Sequence, residues 1–131
     1  MKNTYLQKFL LIATIGLFSQ FAVAQGNPAN LAAVKQIADI VASINHFPSD
    51  ADKMALNAII DDSALADAVH AMASAVVNIE HATNAEGKTA MAAIQANDGA
   101  PVRAKALAGI IASLNHTASA DAKAELAQLY P

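Results

Sequence analysis

The feature that most constrains this 131-residue chain is a period. His46, His81 and His116 stand 35 residues apart, and their surroundings travel with them. Ile40-Val41-Ala42-Ser43-Ile44-Asn45-His46 matches Ile110-Ile111-Ala112-Ser113-Leu114-Asn115-His116, with Ala75-Val76-Val77-Asn78-Ile79-Glu80-His81 as a looser middle copy. The same shift superposes Ala38, Ala73 and Ala108; Lys53, Lys88 and Lys123; and Ser49, Asn84 and Ser119. Apolar columns agree as well: Ile37/Met72/Leu107, Leu56/Met91/Leu126 and Ile59/Ile94/Leu129. Such a gap-free period marks one supersecondary unit repeated, each copy burying its apolar face against its neighbours.

The unit reads as a helical hairpin. Ile37, Ile40, Val41 and Ile44 follow the i, i+3, i+4, i+7 spacing of one helical face, as do Leu107, Ile110, Ile111 and Leu114. Met72, Val76 and Ile79 are the middle set. A short turn follows each histidine. Then comes an N-cap residue, Ser49, Asn84 or Ser119, whose side-chain oxygen can accept from a free backbone N–H of the second helix. Asp50, Asp52, Glu86 and Asp121 complement the positive end of those helices. Asp61-Asp62-Ser63 and Asn97-Asp98-Gly99-Ala100-Pro101 join the hairpins. Gly99 suits a left-handed helix end, and Pro101 suits the first turn of the next helix. No segment alternates like a strand. The expected fold is all-α: three tandem hairpins (about 31–65, 66–100 and 101–131), six helices, forming a short α-solenoid-like stack or a compact helical bundle.

The hairpins follow an address label. Lys2 and Lys8 precede an apolar run from Phe9 to Phe18, and Ala22-Val23-Ala24 supplies a small-x-small site. This is the pattern of a bacterial-type signal peptide over residues 1–24, with cleavage expected after Ala24. The apolar run is about half the ~20 residues a spanning helix needs. The expected product is a periplasmic or secreted single domain, residues 25–131, with no membrane association after cleavage.

Cleavage leaves 107 residues, 30 of them alanine, with six basic and eleven acidic side chains and a net charge of −5. That balance opposes nucleic-acid binding, which pairs basic groups with phosphates. Phe47 and Tyr130 are the only aromatics left, too few for an aromatic cage or a base-stacking platform. With no cysteine, the chain has no disulfide, no thiolate metal site and no thiol nucleophile. No nucleophile elbow, phosphate-cradling glycine loop or dinucleotide fingerprint occurs. Asp61-Asp62 reads as a solvated turn and a cap for the helix that follows. Met54, Met72 and Met91 read as core filler or its border.

The histidines invite two readings. A histidine ending a helix can donate to a free carbonyl and, when charged, suits the negative end of the dipole, so capping is the favoured role of His46, His81 and His116. The alternative is a metal site drawn from His46, His70, His81 and His116. Geometry counts against it. A regular stack holds equivalent positions about 10 Å apart, whereas histidine nitrogens sharing one Zn²⁺ each lie ~2.0–2.1 Å from it. His70 and His81 share a helix face but lie about 16 Å apart along its axis. Lys53, Lys88 and Lys123 sit early in their helices, against the dipole, so a contact to an acidic neighbour or a preceding helix end is expected.

The period is close to that of tetratricopeptide and related hairpin arrays. There is no tryptophan, and the aromatic positions of that pattern hold alanine, serine or polar residues, so the likeness is one of architecture only. The expected function is that of an exported, non-enzymatic helical-repeat protein. It would act by binding a protein or peptide partner, by self-association, or as a structural component of the envelope, without a cofactor. The alternative is a periplasmic metal-binding protein using the repeat histidines.

Overall fold

A computed structural model describes residues 27–131; the expected signal peptide lies outside the described residues. Six helices follow in order: α1 Pro28–Ser43, α2 Asp50–Asp61, α3 Asp67–Val77, α4 Ala85–Ala96, α5 Val102–Ser113 and α6 Ala120–Leu129. Among the described residues there is no strand, only isolated backbone bridges beside the histidines. No described helix is long and apolar enough to cross a membrane.

The helix starts follow local chemistry. Asn27 caps α1 through Ala29 N–H, with Pro28 at the first helical position. Ser49, Asn84 and Ser119 cap α2, α4 and α6. At Ser49 a full capping box forms, since Asp52 accepts from the Ser49 N–H in return. At α3 the cap comes from elsewhere in the chain. Ala66 precedes the helix, and the buried Asn30 of α1 accepts the Ala66 N–H at 2.8 Å. Asp62 therefore does not cap α3. Its side chain accepts instead from Ala64 N–H, closing the α2–α3 turn on itself. Nor is Gly99 left-handed: no described glycine has a positive φ. α4 ends earlier, at Ala96, and the Asn97 side chain orders the turn by accepting from Gly99 N–H.

The repeat columns are the core. Ile37, Met72 and Leu107 are each 0% exposed, as are Val41, Val76 and Ile111. Ala38, Ala73 and Ala108 are buried beside them, and Leu56, Met91 and Leu126 cover them from the second helices. Small residues on the buried faces let α3 approach α1 and α5 closely.

The packing closes on itself. α2 lies against α3, α4 against α5, and α6 returns to α1. The second helix of each hairpin thus covers the first helix of the next, and the third hairpin covers the first. Of the two expected arrangements, the open stack gives way to a closed bundle with approximate three-fold symmetry. Closure removes the end units that an open array must cap.

Tyr130 follows α6 with its ring buried and its hydroxyl unpaired, and the Arg103 guanidinium lies 5.8 Å from the ring centre. Burial pushes the phenol up to about 12, with Arg103 opposing the rise. The folded state therefore holds the proton more tightly than the unfolded chain, whose phenol titrates near 10. This contribution to stability is complete below about pH 10 and is lost as pH rises from about 10 toward 12. A denaturation midpoint followed against pH is expected to fall across that window, and Tyr130→Phe is expected to flatten the fall.

Candidate functional site: a ring of three histidines

Each first helix stops short of its histidine. α1 ends at Ser43, α3 at Val77 and α5 at Ser113, so the three histidines lie in the turns, not in the last helical turn where capping was expected. All three adopt left-handed backbone, with φ of 68°, 71° and 64°, and they are the only described non-glycine residues to do so. Left-handed backbone costs an L-residue on the order of 1–2 kcal/mol, and histidine visits it more readily than most. Three strained residues at one repeat position persist because the surrounding structure holds them.

The hold is a cycle of backbone hydrogen bonds. His46 N–H donates to the His116 carbonyl at 2.5 Å, His81 N–H donates to the His46 carbonyl at 2.6 Å, and His116 N–H donates to the His81 carbonyl. Every histidine gives one bond and takes one, so the three repeats meet at a closed ring on the pseudo-three-fold axis. The bridges between Asn45 and Thr117 and between Ala82 and Asn115 extend it. Thr83 anchors the middle turn beneath, its buried hydroxyl donating to the Ile111 carbonyl.

The side chains gather on the exposed side of this ring. Ring centres are 5.0 Å apart for His46 and His116, and 5.4 Å apart for each of the other pairs, with the planes nearly perpendicular. This overturns the expectation of about 10 Å between equivalent positions. Stacking repeats by translation keeps equivalents apart; rotating them about a closed axis brings together whatever sits nearest that axis.

Two rings have a side-chain partner at Nδ1. His46 Nδ1 lies 2.7 Å from Asn45 Oδ1, and His116 Nδ1 lies 2.6 Å from Asn115 Oδ1. An amide oxygen only accepts, so Nδ1 is the donor in each pair; in the neutral ring this leaves the lone pair on Nε2. Glu80 takes the corresponding place before His81. The rings meet edge to face, and among the described residues no three histidine or carboxylate side chains are already set around a common metal position.

The other expected residues fall outside the ring. His70 sits in α3, where Nε2 donates to the Asp62 carbonyl at 2.8 Å and Nδ1 lies 3.9 Å from Asp67. It ties the α2–α3 turn to the helix and is not brought to the other three. Lys53 lies over the Phe47 ring at 5.8 Å. None of Lys53, Lys88 and Lys123 forms an ion pair among the described residues, contrary to the contact expected of them. Sequence reasoning identified all three ring histidines but not their meeting. The signal was there: histidine, which tolerates left-handed backbone, fills the turn after each first helix. In comparisons with known proteins, the chain matches no family model, no curated protein and no solved structure.

Proposed function

We propose that this is an exported, non-enzymatic helical-repeat protein that binds one divalent transition-metal ion on its pseudo-three-fold axis through His46, His81 and His116. The observation that carries the proposal is the spacing of the rings. Three imidazoles on a tetrahedral ion each place a nitrogen ~2.0–2.1 Å from it, which puts their ring centres about 5.2 Å apart. The three separations here are 5.0, 5.4 and 5.4 Å. The backbone ring holds the three histidine backbones together, and the proposal has the rings reach ligation by side-chain rotation, which in exposed residues takes picoseconds to nanoseconds. The bonds from Nδ1 to Asn45 and Asn115 are those that typically orient a metal-bound histidine and keep Nε2 free. Imidazole ligands suit Zn²⁺, Cu²⁺ and Ni²⁺. Export rests on the pattern of residues 1–24, and the non-enzymatic reading rests on the lack of catalytic motifs in the sequence.

Calorimetric titration of the purified protein with Zn²⁺, Cu²⁺ and Ni²⁺ tests this. One ion per chain with a Kd below about 10 μM is expected for at least one metal; weaker binding of all three overturns the proposal. His70→Ala is expected to leave the affinity unchanged. Asn45→Ala and Asn115→Ala are each expected to weaken it by about 10–100-fold, the usual cost of losing such an orienting partner.

A further inference from the structure

The three-fold symmetry is imperfect, and several of the departures line one pocket. Beside His81, where the first repeat meets the second, lies a pocket of about 420 Å³, within the range of small-molecule sites. Phe47 and Lys53 line it from one repeat, and Val77, Asn78, Glu80 and His81 from the next. The two symmetry-related positions around the ring have another composition. Where this pocket has Phe47, the others have Ala82 and Thr117; for Val77 they have Ala42 and Ala112; for Asn78, Ser43 and Ser113; for Glu80, Asn45 and Asn115. Only the lysine and the histidine are common to all three. The ring itself needs no such departures, since the other two repeats make the same backbone bonds without them.

The departures add a particular chemistry. Phe47 is 55% exposed and offers an aromatic face, with Val77 as a second apolar surface. The Lys53 ammonium stands over that face. Glu80 contributes a carboxylate, and no ion pair forms between it and Lys53. Asn78 donates its amide to the Ser74 carbonyl, which turns its oxygen into an available acceptor. One cation, two acceptors and an apolar wall in one pocket complement a small zwitterion with an apolar body.

We infer that this pocket binds a free apolar α-amino acid, its carboxylate on Lys53, its ammonium on Glu80 and Asn78, and its side chain against Phe47 and Val77. His81 borders both sites, but the inference does not rest on the metal reading, because none of these contacts requires an ion on the histidine axis.

The test is titration of the purified protein, in the presence of chelator, with L-phenylalanine, with phenethylamine, which lacks the carboxylate, and with hydrocinnamate, which lacks the ammonium. Saturable binding of L-phenylalanine is expected with a Kd of about 1 mM or tighter, and each half-ligand is expected to bind at least about tenfold more weakly. Lys53→Met and Glu80→Gln are each expected to cost about tenfold or more. Lys88→Met, at the equivalent position next to Ala82, is expected to cost nothing. All three side chains replaced are at the surface or half-buried, and circular dichroism on each variant verifies its folding. No saturation by about 10 mM, equal binding of the half-ligands, or binding indifferent to Lys53→Met and Glu80→Gln overturns the inference. Chelation makes each outcome independent of whether the histidines bind metal.

Discussion

Replacing Leu107 by alanine is expected to cost about 3–5 kcal/mol, the upper part of the range for such truncations. Leu107 is 0% exposed and shares its column with Ile37 and Met72, which are equally buried. The cost of a truncation depends on how far the surroundings collapse into the cavity. Here many of the neighbours in the core are alanines, Ala104 and Ala108 among them, and an alanine has no side-chain torsion with which to move. The cavity therefore stays largely open. Against a total stability of about 5–15 kcal/mol for an ordinary domain, that loss approaches unfolding. Urea denaturation is the measurement: the midpoint is expected to fall with the slope unchanged. Leu107→Met is the control. Methionine already occupies this column at position 72, and a volume-conserving exchange is expected to cost less than about 1.5 kcal/mol.

The second large effect is expected at the histidine ring, where proline and glycine should act in opposite directions. His116 has φ of 64°, and its N–H donates to the His81 carbonyl. Proline holds φ near −65° and has no N–H, so His116→Pro removes the conformation and the bond together. Losing the bond costs about 0.5–1.5 kcal/mol, and the incompatible φ adds to that, so a loss of about 2–3 kcal/mol is expected. Glycine adopts left-handed backbone without steric penalty and keeps the N–H. His116→Gly is therefore expected to hold the denaturation midpoint at or near that of the unchanged protein while removing one imidazole. Replacing all three histidines with glycine is expected to give a folded protein without the proposed ligands. In the calorimetric titration that variant is expected to bind no metal. If His116→Pro is as stable as His116→Gly, the cycle of backbone bonds does not hold the repeats together.

Much of the fold was legible because it is local. The apolar columns predicted which faces are buried, and Ile37, Val41, Leu56 and their equivalents lie where the period puts them. Ser49, Asn84 and Ser119 cap the second helices because a cap depends on a few neighbouring residues. What failed involved distant parts of the chain or the choice among residues able to adopt one backbone form. Asn30 caps α3 from 36 positions away, a partnership no local pattern announces. The left-handed residues are the three histidines and not Gly99, because the bonds that hold φ positive come from the other repeats.

The histidines show the division most plainly. Their equal spacing established that any role belongs to all three repeats, but spacing along a chain carries no information about the operation relating one repeat to the next. Translation would have produced three separate turns, each with its own exposed imidazole. The return of α6 to α1 and the cycle from His46 to His81 to His116 make the operation a rotation, and rotation puts the three imidazoles on one axis. The sequence by itself determined the unit: its two helices, its caps and its buried columns, all governed by interactions within about one helical turn. Only the tertiary structure decided that the units close, because closure rests on hydrogen bonds and packing between residues 35 or more positions apart. The cluster of imidazoles, and the pocket beside it, follow from that closure.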